Sequence, residues 1–172
     1  MKSKKNIVLV GMMGSGKSSI GKLLSKNVDL EFIDIDKKIE EKEKKTISEI
    51  FSKFGEIYFR NLEEQISTEY LNLQNKIISL GGGGFMNIKI RKNCLINSLT
   101  FWLNWKNEIL INRIKKNKKR PLALNLSTYE INNLIEDRSK KYKQSNYTIN
   151  CDKLNKIQIV KKILKFYEKN RT

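Results

Sequence analysis

Asn6-Ile7-Val8-Leu9-Val10 runs directly into Gly11-Met12-Met13-Gly14-Ser15-Gly16-Lys17-Ser18, and the rest of the chain is read outward from this stretch. Five residues of strand length are followed by the pattern GxxxxGK[ST] and then by a helical apolar period from Lys17 to Asn27. The glycines let successive backbone N–H groups turn inward as an anion nest, and the helix N-terminus adds partial positive charge. A polyphosphate is the ligand such a nest suits. Lys17 is expected to reach the β and γ phosphates, and Ser18 to ligate Mg²⁺. Gly14, Ser15, Gly16, Lys17, Ser18 and Ser19 are therefore the expected nucleotide contacts. The octapeptide specifies a nucleoside triphosphate and says nothing of the group that receives its phosphate.

Downstream, apolar runs and helical periods alternate. Strands are predicted at Glu31 to Ile35, Lys76 to Leu80, Leu99 to Leu103 and Tyr147 to Asn150. Helices are predicted at Asp36 to Lys42, Thr46 to Phe54, Ile57 to Leu73, Ile88 to Asn93, Lys106 to Lys115, Thr128 to Ser145 and Leu154 to Glu168, with Gly55 as a stop between the second and third. Strands separated by helices imply right-handed βαβ crossovers, hence an α/β fold with a five-stranded parallel sheet covered on both faces. Ligands of such sheets bind beyond the carboxyl ends of the strands.

The length, 172 residues, suits one domain spanning 1–172. With 39% hydrophobic and 31% charged residues the chain reads as an ordinary folded protein. No apolar segment approaches membrane-spanning length and the Ile7 to Val10 run is too short for a signal-peptide core, so the expected address is cytoplasmic, with no membrane partner. Cys94 and Cys151 lie far apart and His is absent, so neither a disulfide framework nor a zinc site is expected. The net charge of +17 raises nucleic-acid binding as a rival class. Against it, only six of the 35 basic residues are Arg, Lys is spread along the whole chain, and no aromatic-rich single-strand motif is present. The reading is no nucleic-acid partner.

The nine glycines of this chain fall at Gly11, Gly14, Gly16 and Gly21, at Gly55, and in the run Gly81 to Gly84. The two clusters each follow a strand-like segment, which suggests backbone approaching a ligand. Asp34 and Asp36 end the second strand, and as i and i+2 of a strand they are expected to project together beside the cradle. One can hold Mg²⁺ through water and the other can accept a proton from an attacking hydroxyl; the alternative is that Asp36 merely caps the next helix. Arg60 and Glu63 can share a helix face, giving either a carboxylate-oriented clamp for an anionic substrate or a plain surface ion pair. Arg120, in the basic Pro-containing loop at about 116–126, is a candidate lid residue for the γ-phosphate or part of a solvated charge run. Arg138, one turn before Tyr142, is a second clamp or a surface residue.

Taken in order, a Walker A cradle, the DxD of Asp34 and Asp36, the GE-x-x-FR of Gly55 to Arg60, the GGG of Gly81 to Gly83, the RPL of Arg120 to Leu122 and the R-x-x-x-Y of Arg138 to Tyr142 resemble the shikimate kinase family over essentially the whole chain. The resemblance implies a nucleoside-monophosphate-kinase-like, three-layer α/β sandwich of the P-loop NTPase type, with strand order 2-3-1-4-5. It implies ATP-dependent phosphorylation of the 3-hydroxyl of shikimate, a step of aromatic amino-acid biosynthesis, by a monomer using one Mg²⁺ per subunit. Under it, Lys17, Asp36 and Arg120 are catalytic, Asp36 being the base. Arg60 and Arg138 grip the shikimate carboxylate, and Gly81, Gly82 and Gly83 line its pocket. Ser18 and Asp34 serve the metal, while Arg113 packs on adenine and Arg120 lies near the phosphates. Two departures stand out. Cys151-Asp152-Lys153-Leu154 lacks the Pro often found before the last helix, and Gly84 adds a fourth glycine to the run. The rival readings are a P-loop kinase for gluconate or a nucleoside monophosphate, and a kinase-like binding protein without turnover.

Overall fold

The computed structural model describes residues 5–116 and 126–170. Its strands are β1 (Asn6–Val10), β2 (Glu31–Asp34), β3 (Lys76–Ser79), β4 (Ser98–Asn104) and β5 (Tyr147–Asn150). They form one five-stranded sheet in the order β2-β3-β1-β4-β5, and every pairing is parallel. The expected fold and strand order are both observed. β1 sits at the centre, with Ile7 opposite Ile77 on one side and Leu99 on the other. All five of its residues are buried, which is why the segment reads as continuous apolar sequence rather than as an alternation.

Helices α1 (Lys17–Ser25), α2 (Ile35–Glu43), α3 (Ile47–Leu71), α4 (Ile88–Asn97), α5 (Asn107–Lys116), α6 (Thr128–Tyr142) and α7 (Lys156–Lys169) cover both faces. Successive strand residues point to opposite sides, so β1 feeds two cores. Ile7 and Leu9 join Ile20 and Leu24 of α1 and Ile159, Ile163 and Tyr167 of α7. Val8 and Val10 join Ile39, Phe59, Leu62, Ile66, Ile90, Leu110, Ile131 and Tyr142 from the remaining helices. Each fully buried Leu or Ile contributes about 1.5–3 kcal/mol, so the two cores together fix the positions of the loops above the sheet.

Several boundaries differ from the sequence expectation. β2 ends at Asp34 and α2 starts at Ile35, so Asp36 lies in the first turn of a helix rather than on an extended strand. α3 is two helical segments joined at Gly55, whose φ 80° and ψ 175° are not helical. The expected break between two helices at Gly55 is therefore observed. A 3₁₀ turn at Gly84–Met86 ends the glycine run and was not anticipated. No helix among the described residues is long and apolar enough to cross a membrane. Both cysteines are free and buried, and burial pushes each thiol up to about 12, so they stay protonated and structural.

Candidate active site

Four helix N-termini are closed by side chains. Thr46 with Glu49, Ser127 with Glu130, and Asn155 with Gln158 form capping boxes, and Asn87 accepts from the N–H groups of Lys89 and Ile90. α1 is not closed in this way. Its N-cap is Gly16, left-handed at φ 91°, and no side chain caps it. The N–H groups of the first turn are thereby kept for a ligand, as an anion site requires. Lys17 is buried and its Nζ donates to the carbonyls of Gly11 at 2.8 Å and Met12 at 3.0 Å, which folds the side chain back along the cradle. Gly14, Gly16, Lys17, Ser18 and Ser19 line a cleft of about 210 Å³ together with Asp36, Ser79, Leu80 and Gly82. The cleft opens at the carboxyl ends of β1, β2 and β3, where parallel sheets bind ligands. A larger hollow of about 380 Å³ lies at the opposite end of the sheet, lined by Lys5, Asn6, Leu71, Asn72, Leu73, Gln74 and Asn97, and it offers none of this chemistry.

The glycine run is the point at which the other candidate residues meet. A methyl group built on Gly81 would lie 2.5 Å from Asp36 Oδ1 and 2.7 Å from Glu63 Oε1. One on Gly83 would lie 2.5 Å from an Arg60 guanidinium nitrogen, and one on Gly82 would lie 3.5 Å from that of Arg138. The glycines therefore make room for four charged side chains drawn from α2, α3 and α6. Gly81→Ala is expected to push both carboxylates aside, lowering stability by about 1–3 kcal/mol, as overpacking does, and raising the Michaelis constant for the acceptor. Thermal melts and acceptor titrations check this; wild-type values in both would contradict the close approach.

Arg60 Nη1 donates to Glu63 Oε2 at 2.7 Å, and its Nε and Nη2 donate to Glu56 Oε1 at 3.2 and 3.1 Å. Glu63 is only 2% exposed, so the surface-pair alternative for Arg60 fails: the carboxylate that orients it is in the interior. Burial raises the Glu63 pKa from its ordinary value, and the charge and hydrogen bond of Arg60 oppose that rise. Its second oxygen, Oε1, is buried without a hydrogen-bond partner among the described residues. Arg138 Nη1 donates to the Gly82 carbonyl at 3.3 Å, and the Tyr142 hydroxyl donates to the same oxygen at 2.5 Å. Burial raises the Tyr142 phenol well above its usual pKa, so it remains a donor at neutral pH. Arg138 is thus held against the glycine run, not left on the surface.

A P-loop cradle joined through Asp36 to a pocket of two arginines and two carboxylates is the geometry against which known proteins can be compared. The family model described as shikimate kinase matches residues 13–168. The chain belongs to the shikimate kinase family. Shikimate kinase from Sulfurihydrogenibium sp. (strain YO3AOP1) is 41% identical over 160 residues, covering 93% of this chain and 96% of the relative. The solved shikimate kinase from Acinetobacter baumannii in complex with shikimate superposes with a TM-score of 0.91 at 30% identity, over 97% of this chain and 94% of its own. That from Aquifex aeolicus gives 0.86 at 34% identity, over 96% and 97%.

Within the shikimate kinase family frame, the structure brings Lys17, Ser18, Ser19 and Asp36 to one cleft, and Asp36, Arg60 and Arg138 to the Gly81 to Gly83 run. Arg113 joins the cradle from α5, its Nη1 donating to the Gly14 carbonyl at 3.3 Å. Asp34 is the N-cap residue of α2 but makes no side-chain cap bond, so neither aspartate serves as the helix cap that the alternative reading required. Arg120 and most of the basic loop at about 116–126 lie outside the described residues. Three site neighbours escaped the sequence reading: Glu56 as the second partner of Arg60, the Gly82 contact of Tyr142, and Trp105 beside the cradle. Trp105 carried a usable signal, since it is one of two tryptophans and follows the last residue of β4 at the ligand edge of the sheet.

Proposed function

We propose that this chain transfers the γ-phosphoryl group of ATP to the 3-hydroxyl of shikimate, giving ADP and shikimate 3-phosphate for aromatic amino-acid biosynthesis. One observation carries the reading. Asp36 lines the cleft with Lys17 and Ser18 and also lies against Gly81, so a single carboxylate touches both the nucleotide cradle and the acceptor pocket. Asp36 takes the proton of the attacking hydroxyl, the oxygen forms its bond to the γ-phosphorus in line, and the bond to the ADP oxygen breaks. Lys17 turns from the Gly11 and Met12 carbonyls to offset charge on the transferring group, and by family resemblance Arg120 adds a second cation there.

The acceptor pocket suits a small anionic polyol. Arg60 lies against Gly83 and Arg138 against the neighbouring Gly82, and an Arg fork held by a buried carboxylate is pre-organised for bidentate contact with a substrate carboxylate. The unpaired Glu63 Oε1 beside Gly81 is an acceptor suited to a ring hydroxyl. For the metal, Ser18 supplies a hydroxyl and Asp34 a buried carboxylate with no capping duty. Mg²⁺ takes few protein ligands and completes its shell with phosphate and water, so this donor set fits it. When bound, the ion neutralises phosphate oxygens.

Arg60→Ala is expected to raise the Michaelis constant for shikimate about tenfold to a hundredfold, the worth of a lost charge-assisted pair, with the constant for ATP little changed. A screen with gluconate and a nucleoside monophosphate as alternative acceptors accompanies it. Faster turnover on either rival, or an unchanged shikimate constant in Arg60→Ala, would overturn the assignment of this pocket.

A further inference from the structure

Trp105 sits one residue beyond β4, between the two hydrophobic cores, and is only partly buried. A tryptophan that only filled space there would leave its indole N–H in water. Instead Nε1 donates to the backbone carbonyl of Ser15 at 2.9 Å, inside the phosphate cradle. The guanidinium carbon of Arg113 stands 3.9 Å from the centre of the same ring, and Arg113 Nη1 reaches the Gly14 carbonyl at 3.3 Å. One aromatic side chain therefore holds two neighbouring carbonyls of the cradle, one directly and one through the arginine stacked on it.

We propose that Trp105 is a positioning residue for the nucleotide, acting on both its phosphates and its base; the proposal rests on the ATP reading above. In a trans peptide the C=O and the following N–H point in opposite directions. Anchoring the Ser15 carbonyl on Trp105 turns the Gly16 N–H the other way, and Gly16 lines the cleft. The indole thus fixes the orientation of a phosphate-binding amide without touching phosphate. The second effect is on Arg113. A planar guanidinium loses freedom when one face is stacked on indole, and its opposite face is then presented flat, the form in which it stacks on a purine.

The test is a steady-state comparison of wild type, Trp105→Phe and Trp105→Leu, titrating ATP and shikimate separately, with thermal melts of each. Trp105→Leu removes ring and N–H and should raise the Michaelis constant for ATP about tenfold; Trp105→Phe keeps a ring under Arg113 and should raise it about threefold. The shikimate constant should stay within about twofold in both, a split that general loosening of the fold does not produce. An unchanged ATP constant in folded Trp105→Leu, or equal rises for both substrates, overturns the proposal. Should the Leu variant fail to fold, Trp105→Phe decides, its unchanged ATP constant counting against the proposal and its selective rise for it. A wild-type protein that does not saturate with ATP would remove the nucleotide reading itself.

Discussion

Lys17→Met is expected to lower kcat by about 10²–10³-fold or more while the protein still folds, because a cation aimed at the transferring phosphoryl group acts mainly in the transition state. Methionine matches the length of the lysine stem and is apolar, so it fits a position that is already buried. The bonds from Nζ to the Gly11 and Met12 carbonyls are among the contacts it loses. Removing a buried charge offsets much of that loss, so the melting temperature should move little. Rate measurements at saturating ATP and shikimate, with calorimetry alongside, check both halves. A variant with near wild-type kcat would mean that the cradle binds nucleotide without directing its chemistry.

Asp36→Asn should lower kcat by about 10²–10⁴-fold, the range lost when a general base is removed. The amide keeps the shape of the carboxylate and can still hydrogen-bond a hydroxyl, so the Michaelis constant for shikimate should change far less than kcat. A small stability loss is also expected, about 0.3–1 kcal/mol, because Asp36 lies in the first turn of α2, where a negative charge favours the helix dipole. Single-turnover rates separate the chemical step from binding. Retention of more than about a tenth of wild-type kcat would remove Asp36 from the proton-transfer role assigned by its position.

The nucleotide half of the site was legible in the sequence because its chemistry is local. Strand, glycine turn, lysine and helix are contiguous from Asn6 to Ser25, and Gly11, Gly14 and Gly16 of the turn all have positive φ in the fold. The acceptor half is assembled across long separations. Asp36, Arg60, Gly81 and Arg138 come from four separate parts of the chain, and only the family resemblance, not their spacing, put them in one pocket. Asp36 was expected to project with Asp34 from the end of a strand running to Ile35, whereas the chain turns helical at Ile35. Local propensity is weak evidence where a loop must deliver a side chain to a site. Glu63 illustrates a different gap. Its spacing to Arg60 was visible, but an exposed and a buried pair look alike in sequence, and only burial distinguishes an orienting carboxylate from a surface ornament.

The role proposed for Asp36 joins a nucleotide cradle to an acceptor pocket, and its most direct test is ADP release from ATP and Mg²⁺ followed by a coupled assay, with and without shikimate. Shikimate-dependent release that is lost in Lys17→Met is the predicted result. Release that proceeds at the same rate without shikimate would contradict it, leaving the cradle in place and removing shikimate as the acceptor.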